Sequence, residues 1–236
     1  MNNEKTALFL DLYKTLEESI REQHPNLPRN DSPVVWAIRN SKRLRKMRDE
    51  LDYCREVRNL LSHNARVNGE YAVIPSGAMI ESLKNTLHKI KNPVRAWDIC
   101  VKTQDVRCAK MNDPVRPVME EMASKSFTHI PIVEDGRVIE VFSENTLLSY
   151  LLEEELASVD NGDTFNKFKN LLPIGAHSSE IFVFIEKEAL ASDIAEMFNE
   201  SVLKGERIGM AFVTEGRSPN NRLLGIITAW DTAKFI

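Results

Sequence analysis

The sequence predicts an α+β protein in which an N-terminal α-helical bundle, residues 1–92, precedes two copies of one strand-and-helix unit, residues 93–155 and 156–236. Three observations predict it. Apolar residues recur at helical spacing through the first third of the chain. From Arg95 onward, short apolar runs alternate with amphipathic segments. The two halves of that second region match each other in order, element by element.

In the first third, Leu8, Leu12, Leu16 and Ile20 recur at helical spacing, widened by Leu10 and Tyr13, and Pro25 ends the helix. Ser32 followed by Pro33 is a start signal. Leu44, Met47, Leu51, Cys54, Val57 and Leu61 advance in steps of three and four, which predicts one long helix ending near Ser62. A loop containing Gly69 follows. Ser76 caps a last helix with Met79, Ile80, Leu83, Leu87 and Ile90 on its apolar face, and Pro93 closes the bundle.

Beyond Arg95 the apolar runs 130–133, 138–142, 182–185, 211–213 and 223–227 are too short for helices and are bounded by turn residues, so they read as strands. Asp135-Gly136 and Glu215-Gly216 sit between pairs of these runs, as hairpin turns do. Val133-Glu134-Asp135-Gly136-Arg137 matches Val213-Thr214-Glu215-Gly216-Arg217. Amphipathic helices precede both (PVRPVMEEM and ALASDIAEMF), and after both a strand runs into a hydroxyl residue that opens a helix (IEVFSENTLLSYLL and LLGIITAWDTAKFI). Ser218-Pro219-Asn220-Asn221 lengthens the second hairpin at a tip, where insertions are tolerated. Two such copies bury a shared apolar face between them.

Composition sets the outer bounds. Apolar residues make up 42% and charged residues 28% of the 236, with a formal net charge of −4, as in a soluble globular protein that does not coat nucleic acid wholesale. No apolar run reaches membrane-spanning length, and the opening MNNEKTALF lacks the order of a signal peptide. Cys54, Cys100 and Cys108 leave an odd thiol under any pairing, which predicts reduced cysteines and a cytoplasmic protein. His and Cys never gather at ligand spacing, so no metal site is expected.

The repeat resembles the CBS (cystathionine-β-synthase-type) domain, and two in tandem resemble the pair called a Bateman module, over roughly residues 95–236. FTHIPIVEDGRVIEVFSENTLL looks like the core of a first unit and GERIGMAFVTEG…LLGIITAWD like that of a second. GIITAWD fits the family's Gly-apolar-apolar-Thr-x-x-Asp signature in full. The resemblance implies two βαββα units packed as a pseudo-two-fold pair that holds an adenine nucleotide (AMP, ADP or ATP) as a ligand rather than a catalytic cofactor. It also implies a homodimer formed through the pair, the helical bundle or both.

A strand delivers Thr228 to the first position of a helix, where a phosphate meets the Thr228 hydroxyl and free amides. Asp231, one turn later, takes the ribose hydroxyls by resemblance. Adenine then sits between strands near Arg207-Ile208-Gly209 and the run 182–185, with Ile208, Gly209 and Phe184 as its contacts. The same Thr-x-x-Asp pattern is also a capping box. In the first copy Ser143 holds the hydroxyl position, Thr146 stands where the acid belongs, and Glu140 replaces the glycine, so the two sites are expected to be unequal with the Thr228/Asp231 site dominant. The chain ends five residues after Asp231, which predicts a brief last helix. Arg137, Arg217 and His129 are further cations near the turns and strands; each also reads as a solvated tip or an ordinary half-buried histidine.

Arg58-Asn59-Leu60-Leu61-Ser62-His63 resembles the Arg-x(4–6)-His motif of HEPN domains, helical bundles that dimerise. In the nuclease members, Arg and His from two chains cut RNA. The resemblance offers Arg58 and His63 as alternative catalytic residues of a metal-independent, nucleotide-regulated ribonuclease. They equally suit a helix C-terminus, where cations meet the dipole. Arg39, Lys42, Arg43, Arg45 and Lys46 form a run without an acid that either meets RNA phosphates or stays solvated, with Asp49, Glu50, Asp52 and Glu56 following. The leading expectation is a regulatory sensor whose nucleotide-binding pair signals through a dimerising helical domain with an RNA or protein partner. A ligand-free dimerisation module is the third reading.

Overall fold

A computed structural model describes residues 2–63, 71, 73–153 and 158–235. Its contacts divide the chain into two units, residues 1–93 and 94–236. Gly69 of the expected loop, and the expected boundary between residues 155 and 156, lie outside the described residues.

The first unit is helical: α1 (Asn2–Gln23), α2 (Pro33–Asn40), α3 (Lys42–Arg45), α4 (Arg48–His63) and α5 (Gly77–Lys91). The buried stripe of α1 is Phe9, Tyr13, Leu16 and Ile20, whereas Leu8 is 42% exposed. Those four positions fall on a narrower arc of the helix than Leu8, Leu12, Leu16 and Ile20, and they place both aromatic rings inside. Tyr13, Leu16 and Ile20 of the expected face are kept, and the larger Phe9 takes the inward place expected of Leu8. The helix expected to run unbroken from Leu44 is interrupted at Lys46 and Met47. There the amides bond three residues back, Lys46 N to Arg43 O at 3.2 Å and Met47 N to Leu44 O at 3.1 Å, before α4 resumes. Leu44 and Leu51 are fully buried on either side of that step, so the core spans it. Ser32 precedes Pro33 as expected but makes no side-chain cap, while Ser76 Oγ accepts from Met79 N at 3.1 Å.

The second unit holds α6 (Ala96–Ile99), β1 (Val101–Lys102), α7 (Val115–Lys125), β2 (His129–Glu134), β3 (Arg137–Ser143), α8 (Glu144–Glu153), β4 (Ile181–Glu186), α9 (Ala191–Leu203), β5 (Ile208–Thr214), β6 (Leu223–Ile227) and α10 (Ala229–Thr232). The later copy is a four-stranded sheet in the order β1-β6-β5-β4, with β4 parallel to β5 and the other pairs antiparallel. The earlier copy is the β2–β3 hairpin, to which Ala109 adds a parallel bridge at Ile132 in the place β4 takes beside β5. Asp135 (φ 48°) and Gly136 (φ 78°) form the tight turn their sequence predicts. In the longer second hairpin the left-handed residue is Arg217 (φ 53°).

The leading segments of the copies are exchanged. Residues 94–102 open the first copy in sequence yet bond to the second: Ala96 N to Ala189 O at 2.7 Å, Ala191 N to Val94 O at 2.9 Å, and β1 along β6. Residues 163–173 lie in the leading part of the second copy and bond to the first, with Val115 N to Asp163 O at 3.0 Å and Val141 N to Leu172 O at 3.1 Å. Each segment completes the other copy's core. Phe165, Phe168 and Leu172 pack with Val115, Val118 and Phe142, and Ala96 and Cys100 pack with Ile194, Phe198 and Ala211. A central layer of Val138, Val141, Phe182, Met210, Phe212 and Leu223 draws on both copies. Among the described residues no helix is long and apolar enough to cross a membrane.

Gly225, which opens GIITAWD, sits where β1 lies against β6. A Cβ there would lie 2.5 Å from Val101 O and 2.7 Å from Cys100 Sγ, so only glycine lets β1 cross β6. Gly225→Ala is expected to cost about 1–3 kcal/mol through overpacking, read as a lower midpoint in urea or thermal unfolding.

Candidate nucleotide site

Thr228 is the N-cap of α10, in extended conformation directly after β6. Asp231 Oδ2 accepts from both Thr228 N and Thr228 Oγ1, each at 2.8 Å. The capping box is therefore formed, and the hydroxyl proton expected to meet a phosphate is already given to Asp231. With one turn in α10, the helix dipole contributes little to anion binding. The other carboxylate oxygen, Oδ1, accepts no hydrogen bond among the described residues and faces no competing cation there, as a ribose diol requires. The site as built thus suits ribose recognition better than phosphate recognition.

The other expected contacts lie at different places around this point. The last β5–β6 pair is Ala211 with Ile227, so Thr228 directly follows the end of the ladder, with Gly209 two residues before Ala211 on β5. Ile208 turns its side chain into the core under α9, with Phe198 and Ile194. Phe184 belongs to the opposite face, tilted against Phe212 with ring centroids 5.2 Å apart. The structure joins Thr228 and Asp231 directly, whereas Gly209 faces His129, Phe182 and Glu180. Ile208 pairs with Ile181 of β4, and Phe184 stands farther along the sheet.

The first copy is built differently. Ser143 and Thr146 are both buried and cap each other, Ser143 N to Thr146 Oγ1 at 3.1 Å and Thr146 N to Ser143 Oγ at 3.2 Å. The carboxylate missing from this copy arrives from a segment the sequence does not single out. Glu180, directly before β4, is fully buried, and its Oε2 accepts from His129 Nε2 at 2.7 Å. His177 Nδ1 faces its other oxygen at 3.6 Å, and Thr128 Oγ1 pairs with His129 Nδ1 at 2.7 Å. Gly209 touches this cluster from the second copy, since a Cβ would lie 2.8 Å from His129 Nε2. Burial alone pushes the Glu180 carboxyl up. The polar contacts of His129, His177 and Ser143, with the charge His129 carries when protonated, outweigh that and hold it well below the ordinary range. Glu140, the residue in place of the glycine, has a buried Oε2 without a partner among the described residues, and burial raises its pKa.

Of the remaining candidates, Arg137 is exposed beside the first turn, and Arg217 lines a cavity of about 390 Å³ with Asp193 and Leu190. The Arg58 guanidinium lies 5.7 Å over the Tyr13 ring and bonds Asn59 Oδ1 at 3.2 Å, an inward placement against the bundle core. The His63 side chain lies outside the described residues.

Residues 97–153 match the family model of the CBS domain. No curated protein matches the chain. Among solved structures, the chain is similar to AcuB from Vibrio cholerae (16% identity, 61% of this chain and 90% of that one, TM-score 0.45). It is also similar to CBSX2, a CBS-pair protein of Arabidopsis thaliana, in complex with AMP (19%, 60% and 94%, TM-score 0.43). A third is the CBS domain pair of MJ0100 in complex with 5′-methylthioadenosine and S-adenosyl-L-methionine (15%, 61% and 95%, TM-score 0.41).

The buried pair sets a pH dependence. Glu180→Gln is expected to lower stability by about 2 kcal/mol at pH 7, the scale of a hydrogen bond to a charged group. Because the folded carboxyl titrates below the ordinary Glu value of about 4.3, its contribution is complete above that pH and is lost as the pH falls through the lowered value. Denaturation at neutral and acidic pH should show the wild-type and variant stabilities converging in acid; a gap that stays constant would mean Glu180 is not held ionised.

Proposed function

We propose that residues 94–236 form a CBS pair that senses an adenine nucleotide at one dominant site, centred on Asp231, and that the helical unit carries the response. The observation that supports this reading most directly is the asymmetry of the two caps. Asp231 has a carboxylate oxygen with no hydrogen bond among the described residues, one turn after a strand end, whereas Ser143 and Thr146 satisfy each other and are buried, as is Glu180. A ribose diol donating to Asp231 strengthens a contact that is already oriented by Thr228, which holds the carboxylate in one rotamer. Signalling requires that the nucleotide bind two states of the protein with different affinity.

The pair also offers surfaces for a second copy. Leu148, Leu151 and Leu152 follow one another on α8 and are 55%, 47% and 79% exposed, and Trp230 of α10 is 91% exposed. We read these as the faces of a homodimer.

Calorimetric titration with AMP, ADP, ATP, S-adenosylmethionine and cyclic dinucleotides tests the assignment. One adenine-containing ligand is expected to bind once per chain, and Asp231→Ala to weaken it about tenfold or more. The same change costs about 1 kcal/mol of stability through the lost cap, so a thermal melt without ligand separates the two effects. Undiminished binding by Asp231→Ala would place the ligand elsewhere.

A further inference from the structure

The helical unit contains a cavity of about 540 Å³ lined by Val35, Ile38, Arg39, Arg45, Arg48, Asp52 and Arg55. Four guanidinium groups thus surround one concavity with a single carboxylate. Arg48 Nε and Arg55 Nε bond the two oxygens of Asp52, at 3.4 and 3.1 Å, one from each side. Both use Nε, so their terminal Nη groups have no partner among the described residues. Arg45 is tied across the end of α2, Nε to Ile38 O at 3.3 Å and Nη2 to Arg39 O at 2.6 Å. Arg39 is exposed and its guanidinium has no partner among the described residues. Three of the four side chains are therefore held in place, with like charges gathered at a cost that an anion would relieve.

Charge bookkeeping along the chain agrees with this local picture. Residues 1–93 contain 16 Lys and Arg against 12 Asp and Glu, a net +4, while residues 94–236 contain 15 against 23, a net −8. The positive excess belongs to the helical unit. It does not extend into a track for a long strand: Asp49, Glu50 and Glu56 share α4 with the cluster and would repel one. A volume of about 540 Å³ matches a small ligand. Guanidinium forks with free Nη groups suit phosphate oxygens, and several together suit adjacent phosphates.

The geometry points to a second ligand site in this protein: a polyphosphate site in the helical unit, walled by Arg39, Arg45, Arg48 and Arg55 and oriented by Asp52, for a small ligand that carries adjacent phosphates. Asp52 is a positioning residue there. Arg48 and Arg55 grip one end of the anion, Arg39 closes on it from α2, and Val35 and Ile38 form an apolar floor. The site is separate from Asp231 and does not depend on that assignment.

Titration of inorganic tripolyphosphate into the full chain, followed by calorimetry, tests it. One binding event per chain is expected, weakened about tenfold by Arg39→Ala and unchanged by Asp231→Ala. Arg39→Lys is expected to recover part of the affinity, because it restores charge without the fork. Since Arg39 supports no other side chain, the melting temperature of Arg39→Ala should equal that of the wild type. ATP displacing tripolyphosphate in an Arg39-dependent way assigns a nucleoside polyphosphate, and failure to displace it assigns the free anion. Equal affinity of wild type and Arg39→Ala overturns the site, as does loss of binding in Asp231→Ala. Absent tripolyphosphate binding, with single-stranded RNA binding lost in Arg39→Ala, overturns the ligand class in favour of a strand.

Discussion

The exchange of leading segments is the constraint on which the second unit depends. Neither copy closes its own core. The first needs Phe165, Phe168 and Leu172, which belong to the approach to the second, and the second needs Ala96, Cys100 and β1, which belong to the approach to the first. A hairpin and one or two helices bury too little apolar surface to be stable alone. Crossing over converts two marginal pieces into one cooperative body, and it brings Val138, Phe182, Met210 and Phe212 into a common layer.

The crossing also makes the two ends of the unit unequal. Equivalent strands receive the incoming segment at equivalent positions: Gly225 faces Lys102 in β1, and Glu140 faces Pro173. At Gly225 the backbone approaches so closely that no Cβ fits, and two residues pair. Proline at 173 has no amide hydrogen, so the pairing there shrinks to a single bridge and leaves room for a glutamate side chain. The first copy thus has neither the glycine nor the acid that the second has at these places. Its pocket-side polar groups turn inward, to Glu180 and His129, and the second copy keeps a carboxylate facing outward.

Much of this was legible in residues next to one another in sequence. Asp135-Gly136 adopts the turn its composition dictates, Ser76 caps its helix, and the repeat is visible because both copies use the same order of helix, strand, turn and strand. What failed to show needed distant partners. Leu8 and Phe9 both extend an apolar pattern on α1, and only packing against α4 and α5 decides which one is buried. The step at Lys46 and Met47 keeps the apolar spacing intact, so periodicity cannot report it. Glu180 looks like a loop residue before a strand, because its partner His129 is 51 positions away on another element. The Thr228 and Asp231 pattern was readable, yet the sequence cannot tell a cap from a ligand site, and the structure shows the cap formed with one oxygen left over.

Charge distribution then separates what the two units can hold. Residues 94–236 carry the acidic excess of the chain, and the proposed site there presents a carboxylate on a one-turn helix. Both features oppose the accumulation of negative charge, over distances of the order of the Debye length of about 8 Å at physiological ionic strength. On the proposed assignment, a ligand at Asp231 gains most through its ribose and its base, and each added phosphate gains less. The helical unit has the opposite character, with four arginines around a concavity and a positive balance of its own. The two proposed sites therefore differ in the ligand chemistry they favour: a nucleoside with few phosphates at Asp231 and a polyphosphate in the helical unit.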